Sequence, residues 1–242
     1  MKRTDPDVIS LITTPVGSEG PLNPSPGPTP RWTAEGVIRA LSPLTLPERL
    51  EKMMTVLARR LDTVTVLLDN PADPHNAAAV VRSADAFGLQ AVHVFHETGD
   101  FRASGRVAQG SHYWVDTLLH TERSAALKHL VSEDYTLVAT HPDGDLVPAD
   151  LRNLERVAVI LGNEHDGIHP ILHAAARHTV RIPMSGFVES LNLSVSAAIL
   201  LHAASAGRPP SLSAAQKDNV LSRWLRHSVP RSAEILAELA PS

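Results

Sequence analysis

The sequence predicts an α/β protein with a mainly parallel sheet flanked by helices, and two observations carry this prediction. Along the middle of the chain, short β-branched runs alternate with helical stretches, which is typical of strand–helix–strand units. The predicted strands are almost wholly apolar, as expected where helices cover both faces of a sheet. With 242 residues, of which 43% are hydrophobic, the chain is long enough for one main domain and flanking segments.

The part of the chain before the first predicted strand divides into two segments. Residues 1–30 are predicted to form a flexible arm, because the stretch GSEGPLNPSPGPTP at 17–30 is dominated by Pro, Gly and Ser. Residues 31–62 are predicted to form a helical extension, since apolar residues recur at helical spacing between Leu46 and Leu61. Basic side chains surround this apolar stripe.

The central domain is predicted to cover residues 63–206. Strands are predicted at Val64–Leu68, Ala91–Phe95, Tyr135–Thr140, Val157–Gly162 and Val180–Pro183. Helices are predicted at Asn76–Phe87, Glu122–Val131, Pro170–Arg177 and Leu193–Ala206. The last of these consists almost entirely of Ala, Leu, Ile, Val and Ser, so we expect it to be buried on most sides. A C-terminal helical extension over residues 207–242 carries Trp224.

Composition restricts the classes of function. The formal net charge is −4, but residues 1–60 and 203–242 each carry +2 and the residues between them carry −8. Basic ends around an acidic middle fit either a nucleic-acid partner or ordinary surface variation. The absence of cysteine excludes disulfides, thiolate metal sites and cysteine nucleophiles. Because the sequence has neither a long apolar run nor an apolar signal-peptide core, we expect a cytoplasmic protein with no membrane segment.

Several common ligand-binding fingerprints are absent. The chain has no GxGxxG and no GxxxxGK[ST] loop, which disfavours dinucleotide and nucleoside-triphosphate enzymes. It has no GxSxG elbow either, which disfavours an α/β-hydrolase. His169 and His173 lie one helical turn apart, but the glutamate of an HExxH motif is missing, so no metal site is predicted.

The first segment with chemical content is NAAAVVRSADAFG at Asn76–Gly88. Asn76 stands where the predicted helix begins, and it is expected to cap that helix. Arg82 follows nearly two turns later among small residues, which leave its guanidinium accessible. Such a group binds phosphate through a planar fork of donors, and close to a hydroxyl it helps to remove the proton. The alternative is a surface salt bridge to Asp85.

The second segment is VAVILGNEHDG at Val157–Gly167, a buried strand that runs into a polar turn. Gly162 is expected to let a ligand approach the backbone, and Glu164 then stands at the carboxyl edge of the sheet, where α/β proteins bind their ligands. The alternative is that this segment is an ordinary turn at the end of a strand and binds no ligand.

The third segment is IPMSGFVESLNLSVSAAILL at Ile182–Leu201, in which a loop leads into the predicted last helix. Its apolar side chains offer walls for a ligand, and polar groups at the helix start offer hydrogen bonds. The walls would be Ile182, Met184 and Leu191, and the polar groups would be Ser190, Asn192 and Ser194. The alternative is simple helix capping by Ser190 or Asn192.

In this order and spacing, the three segments resemble the three motifs of the SpoU (TrmH) family of the SPOUT methyltransferase superfamily. The resemblance covers about Leu46 to Trp224. It includes GSHYWV at Gly110–Val115, which is similar to the GSHxWV stretch of the tRNA-specific branch of that family.

The resemblance implies a fold, an assembly and a reaction. The fold is an α/β domain whose C-terminal part forms a deep trefoil knot, with basic helices at both ends of the chain, and the assembly is a homodimer with the active site at the interface. The reaction is transfer of a methyl group from S-adenosylmethionine to the ribose 2′-hydroxyl of guanosine 18 in the D-loop of tRNA. Methylation of the ribose in ribosomal RNA, and RNA binding without catalysis, are the alternatives.

Site residues follow from the same resemblance, position by position. The cofactor pocket would involve Thr140, Leu161, Gly162, Ile182, Met184, Leu191 and Ser196. The reacting site would be lined by Asn76, Arg82, Glu164, Ser190 and Asn192, with Arg82 at its centre. The RNA backbone would be bound by the basic terminal helices that the sequence itself indicates, through Arg49, Arg59, Arg60, Arg223 and Arg226. Neither a metal ion nor a membrane is implied.

Overall fold

The computed structural model describes residues 14–15, 32–97 and 110–239. Among these residues the strands are β1 Thr14–Pro15, β2 Val64–Asp69, β3 Ala91–Phe95, β4 Asp116–His120, β5 Thr136–Thr140, β6 Val157–Leu161 and β7 His178–Val180. The helices are α1 Ala34–Leu41, α2 Pro47–Leu57, α3 Pro74–Ala86, α4 Arg123–Ser132, α5 Pro170–Ala175, α6 Leu193–Ser205, α7 Ala214–Ser228 and α8 Ser232–Glu238. Short 3₁₀ helices lie at Ser42–Leu44, Ser111–Tyr113 and Pro148–Asn153. Apart from β1, the arm predicted over residues 1–30 lies outside the described residues.

The chain divides into two compact units. The first contains the sheet and spans residues 61–208, together with β1. Among the described residues, the second joins residues 32–60 with residues 209–239, so that α1, α2, α7 and α8 belong together. Segments that precede and follow the main part of the first unit in sequence therefore share a unit.

The sheet has the strand order β1-β4-β3-β2-β6-β5-β7, and every neighbouring pair runs parallel. At its centre β2 pairs with β6, with Val66 opposite Val159. Both of these strands are buried along their whole length. The predicted α/β class with a parallel sheet flanked by helices is confirmed.

The two faces of the sheet are covered by different helices. Val66 and Leu68 point to the face covered by α3 and α6, which contribute their small and aliphatic side chains to the larger core cluster. Leu67 points to the other face, where it packs with residues of α4 and α5. This alternation is the two-residue period of a strand, and burial on both sides explains the continuous apolar runs.

Three structural expectations from the sequence are wrong in detail. The strand predicted at Val180–Pro183 lies instead at His178–Val180, because its pairing with β5 ends at Val180 and Pro183 has no amide hydrogen to donate. β4 was not expected, since its sequence DTLLH has no run of β-branched residues. α6 is less buried than expected: Val195 and Ile199 are 46% and 36% exposed.

The second unit is a small helical assembly with its own buried side chains. α1 packs against α7, and Val37, Leu41 and Trp224 are buried. The indole nitrogen of Trp32 donates a hydrogen bond to the carbonyl of Leu236 at 3.0 Å, which links the start of this unit to α8. Among the helices described in either unit, none has the length and apolar character needed to cross a bilayer.

Candidate functional site

A cavity of about 890 Å³ opens in the first unit at the carboxyl ends of β5, β6 and β7. Its wall is completed by the turn after β6 and by the loop that leads into α6. The residues predicted for the cofactor pocket all contribute to this wall, namely Thr140, Leu161, Gly162, Ile182, Met184, Leu191 and Ser196. The structure therefore brings together seven residues that the sequence distributes over almost sixty positions.

The turn after β6 depends on close backbone packing at Gly162. A Cβ atom added to Gly162 would lie 2.2 Å from the carbonyl carbon of Gly167 and 2.4 Å from the amide nitrogen of Ile168. Asn163 and Gly167 exchange backbone hydrogen bonds of 2.9 and 3.0 Å across the turn, and Gly167 has φ +71°. The packing of the turn itself thus requires a residue without a side chain at position 162. This requirement is separate from the expected approach of a ligand to the backbone.

Gly162→Ala is expected to destabilise the protein by about 1–3 kcal/mol, because the methyl group cannot be accommodated without moving the turn. The affinity for S-adenosylmethionine is expected to fall as well, since the same turn forms part of the cavity wall. Thermal unfolding and calorimetric titration would measure both. Gly186→Ala is the matched control, since Gly186 lies in the loop before α6 and a Cβ atom there would have no neighbour within 4 Å. Equal melting temperatures and equal affinities for S-adenosylmethionine in the two variants would contradict the role of Gly162.

Polar residues from all three sequence segments meet beside this cavity. The side-chain amide of Asn76 donates to Glu164 Oε1 at 2.8 Å, and the amide of Asn192 donates to Asn76 Oδ1 at 3.0 Å. Glu164 Oε2 accepts a third bond, of 2.9 Å, from the backbone amide of Ala72. The carboxylate is therefore held by α3 and by the loop before it, and Asn76 links it to the start of α6.

Asn76 reaches this position because it is not the cap of its helix. α3 begins at Pro74 and is capped by Asp73, whose carboxylate accepts from the amide of His75 at 2.8 Å. The expected capping role of Asn76 is therefore wrong, because an acidic residue followed by proline starts the helix two positions earlier. As a consequence the whole side-chain amide of Asn76 is available to Glu164 and Asn192.

Asn192 combines a structural role with a role in the cluster. Its Oδ1 caps α6 by accepting from the backbone amide of Ser194 at 2.8 Å. Its Nδ2 is the group that donates to Asn76. The capping interpretation thus holds for Asn192 without excluding a functional one. Ser190 lies in the cavity wall two residues earlier.

The surroundings of Glu164 favour its charged form. Partial burial raises the pKa of the carboxyl, but the hydrogen bonds from Asn76 and from the amide of Ala72 act against burial and leave the pKa below its ordinary value. Glu164 is therefore an anion at neutral pH. It places a negative charge in the wall of the cavity.

Arg82 is exposed on α3, as expected, and is not paired with its neighbours. Within the described part of the chain it has no hydrogen bond and no ion pair, and Asp85 instead accepts from Ser111 Oγ at 3.1 Å. The salt-bridge alternative is thus not what the structure contains. Arg82 is also absent from the cavity wall: it follows Asn76 by six residues, which is about 9 Å along a helix. A single chain does not bring Arg82 into the polar cluster.

The five arginines predicted to bind RNA lie in the second unit and differ in accessibility. Arg49 and Arg59 are exposed, and Arg223 and Arg226 are half-buried. Burial lowers the pKa of Arg226. The prediction for Arg60 is wrong, because its side chain is fully buried and its guanidinium carbon lies 5.3 Å from the centre of the Trp224 ring. An arginine packed in this way stabilises the unit and is not available to a phosphate.

Several residues of the cavity wall were not singled out from the sequence. These are His141, Pro142, Asn163, Ile168, Val180, Arg181, Val188 and Glu189 among others. Four of these eight, namely His141, Asn163, Arg181 and Glu189, stand next to a site residue that was named, so extension of each motif by one position would have found those four. The two histidines weighed for a metal have other contacts: His169 accepts from the amide of Ile171, and the ring of His173 packs on His141. In the described ranges, no group of three potential ligands is placed to hold a metal ion.

Comparison with known proteins gives consistent results. Residues 63–202 match the SpoU rRNA Methylase family. A tRNA (guanosine(18)-2′-O)-methyltransferase of Thermus thermophilus is 34% identical over 188 residues, which are 74% of this chain and 96% of that protein.

Solved structures lead to the same group of proteins. A TrmH/SpoU tRNA modifying enzyme of A. aeolicus superposes with a TM-score of 0.69 at 28% identity, over 76% of this chain and 98% of that one. The SpoU methyltransferase AviRb of Streptomyces viridochromogenes, in complex with the cofactor AdoMet, has a TM-score of 0.55 at 26% identity, with 63% of each chain covered.

Proposed function

This chain belongs to the SpoU rRNA Methylase family, and on that premise we propose that it transfers a methyl group from S-adenosylmethionine to the ribose 2′-hydroxyl of guanosine 18 in tRNA. The observation that carries the proposal is the cluster of Asn76, Glu164 and Asn192, in which all three motifs are joined by hydrogen bonds beside one cavity. The choice of tRNA and of its nucleotide is supported by the T. thermophilus relative, which spans most of the chain. We further propose that the protein acts in the cytoplasm, where that substrate is found.

The cavity fits S-adenosylmethionine in size and in chemistry. Its volume of about 890 Å³ lies within the range of small-molecule sites. Leu161, Ile182 and Leu191 offer apolar contacts, Thr140 and Ser196 offer hydroxyl groups, and ionised Glu164 favours a cationic ligand. When bound, the cofactor supplies a methyl group on a positively charged sulfur, and no metal is needed to activate it.

The protein's own residues have the task of orienting the ribose and weakening its O–H bond. In the proposed roles, Asn76 and Asn192 hold Glu164 in one orientation, so that the polar groups beside the cavity are arranged before substrate arrives. Arg82 supplies a guanidinium that stabilises negative charge on the ribose oxygen and binds a neighbouring RNA phosphate. In this proposal the phosphate takes up the hydroxyl proton while the methyl group passes from sulfur to the ribose oxygen, which leaves the cofactor as a neutral thioether. The Arg82 side chain is exposed and has no hydrogen-bond or ion-pair partner among the residues that the structure describes, so its donors are available for this purpose.

We propose that the active protein is a homodimer and that Arg82 acts on the cavity of the other copy. Two features support this arrangement. Among the described residues, Arg82 has no hydrogen bond to the polar cluster of its own chain and does not line the cavity, so a second copy would be needed to bring it there. In addition, α6 carries two exposed aliphatic residues, Val195 and Ile199, and a helix of a parallel α/β domain normally turns such residues inward.

We also propose that the C-terminal part of the first unit forms the deep trefoil knot of the family. Support comes from the contact between the loop after β5 and the strand β7. A Cβ atom on Gly144 would lie 2.5 Å from the backbone of Val180 and Arg181. Likewise the amide of Arg181 donates to the carbonyl of Leu146 at 2.9 Å. Such close crossings require glycine and suit a chain that passes through its own loop.

Ile199→Asp is expected to convert the dimer to a monomer and to lower tRNA methylation by at least about tenfold, because a charge would be buried in the interface. Light scattering coupled to gel filtration would measure the mass of the assembly. The control is Val131→Asp, which alters an exposed aliphatic residue on α4, at the other face of the sheet. A fully active dimer of the Ile199 variant would place the interface elsewhere.

Labelled S-adenosylmethionine and unmodified tRNA transcripts test the proposed reaction. We expect label in tRNA, resistance of the product to alkaline cleavage at nucleotide 18, and no label when that nucleotide is adenosine. Ribosomal RNA is the second candidate substrate, since the family is described by its rRNA methylases. Incorporation into rRNA fragments but not into tRNA would replace the proposed substrate, and incorporation into neither would contradict the enzyme activity.

A further inference from the structure

The carboxyl end of β2 carries a buried ion pair that the proposed reaction does not use directly. Arg123, the first residue of α4, donates through Nε to Asp69 Oδ1 at 2.7 Å. The Asp69 side chain is 1% exposed and that of Arg123 is 19% exposed. The Arg123 guanidinium carbon also lies over the Phe95 ring, 4.0 Å from its centre, which adds a cation–π contact to the ion pair.

The second oxygen of Asp69 binds the loop that carries Glu164. Asp69 Oδ2 accepts from the backbone amide of His169 at 2.8 Å, and His169 is the cap of α5, at the end of that loop. The carboxylate therefore connects three elements, namely the end of β2, the start of α4 and the start of α5. A neutral side chain at position 69 would remove the buried partner of the guanidinium and leave it the more distant and exposed carboxylate of Glu97, at 3.8 Å.

Further contacts continue along the two loops toward Glu164. One residue after Asp69, the carbonyl of Asn70 accepts from Asn163 Nδ2 at 2.6 Å. Two residues later, the amide of Ala72 donates to Glu164 itself. The loop after β2 and the loop after β6 are thus joined at His169, at Asn163 and at Glu164, with the buried charge at one end of the series.

We propose that the ion pair of Asp69 and Arg123 positions Glu164 for methyl transfer, by holding the loop after β6 against the loop after β2. This inference rests on the proposed function, in which Glu164 lines the reacting site. Asp69 and Arg123 are positioning residues, because their contacts reach the substrate only through the loop. Most of the cavity wall comes from other segments, so the cofactor site itself is largely independent of the pair.

Arg123→Gln and Asp69→Asn test the proposal, with Arg123→Lys as a milder variant that keeps the charge. We expect kcat for tRNA methylation to fall about tenfold or more in the first two variants and less in the third, while the dissociation constant of S-adenosylmethionine changes by less than about threefold. If either of the first two variants fails to fold, Asn163→Ala interrupts the same series without removing a buried charge, and the same fall in kcat is expected.

The matched control is Arg156→Gln. Arg156 also pairs with an aspartate, Asp62, at 3.6 Å, and stacks 4.6 Å from the ring centre of Tyr135, with a side chain 24% exposed. Arg156 precedes β6, so it lies at the amino end of the strands, away from the loop after β6. The kcat of the Arg156→Gln variant is expected to remain within about twofold of wild type. An equal loss of kcat in the control and in the Arg123 variants would overturn the proposal.

A second readout separates this proposal from the proposed function. The ¹³C signal of the Glu164 carboxyl reports its titration in the absence of RNA. Because the pKa of Glu164 is lowered by bonds from Asn76 and Ala72, release of the loop is expected to shift the titration to higher pH in the Asp69 and Arg123 variants but not in the control. An unchanged titration would overturn the proposal even if the enzyme is active. A shifted titration in a protein that methylates no RNA would contradict only the proposed function.

Discussion

Arg82→Ala is expected to lower kcat for tRNA methylation by about two to four orders of magnitude, which is the range for loss of a group that assists proton transfer. Affinity for S-adenosylmethionine is expected to stay unchanged, because the proposed contacts of Arg82 are with the ribose oxygen and a phosphate of the RNA and because Arg82 does not line the cavity of its own chain. Stability is expected to stay unchanged too, since the exposed side chain has no hydrogen-bonded partner within the described residues. Single-turnover rates, calorimetry and thermal unfolding would measure the three quantities.

A control and a mixing experiment sharpen this prediction. Arg152→Ala removes another exposed arginine of the same unit and is expected to leave kcat unchanged. Mixed dimers of Arg82→Ala and Glu164→Ala chains test where Arg82 acts. If Arg82 serves the cavity of the other copy, one of the two sites in each mixed dimer is intact, and random mixing restores about a quarter of wild-type activity. No restoration would place Arg82 and Glu164 of one chain in the same site, and a wild-type rate for Arg82→Ala would contradict its role altogether.

Replacement of Asn192 by two different residues is expected to separate stability from catalysis. Asn192→Asp keeps an oxygen to cap α6 but cannot donate to Asn76, so we expect kcat to fall by about ten- to a hundredfold with little change in melting temperature. Asn192→Ala removes both interactions. It is expected to lose activity to a similar degree and also about 1 kcal/mol of stability, or roughly 2–4 °C in melting temperature.

The control for Asn192 is the cap of a different helix. Ser213 caps α7, where its hydroxyl accepts from the amide of Gln216 at 3.2 Å. Ser213→Ala is expected to lower the melting temperature about as much as Asn192→Ala, and to leave kcat unchanged. If the Asp variant at position 192 retains the wild-type kcat, Asn192 serves only as a helix cap.

The sequence determined the fold class, the order of most of the elements and about half of the residues in the cavity wall. Apolar runs such as those of β2 and β6 identify strands because burial on both faces leaves no polar positions in them. The resemblance to a known family placed Thr140, Gly162 and Met184 in one pocket, and all three line one cavity. They can meet there because each lies in a segment where a strand ends, and parallel strands end at the same edge of a sheet.

Only the tertiary structure decided which polar groups are paired and which charges are buried. The structure assigned the cap of α3 to Asp73, which left the side chain of Asn76 to bind Glu164. It buried Arg60 against Trp224. It also left Arg82 outside the polar cluster of its own chain. The ion pair of Asp69 and Arg123 joins residues 54 positions apart that no motif connects. The reason is physical: hydrogen bonds and ion pairs depend on distances of about 3 Å, and distances between residues remote in sequence are set by how the elements pack.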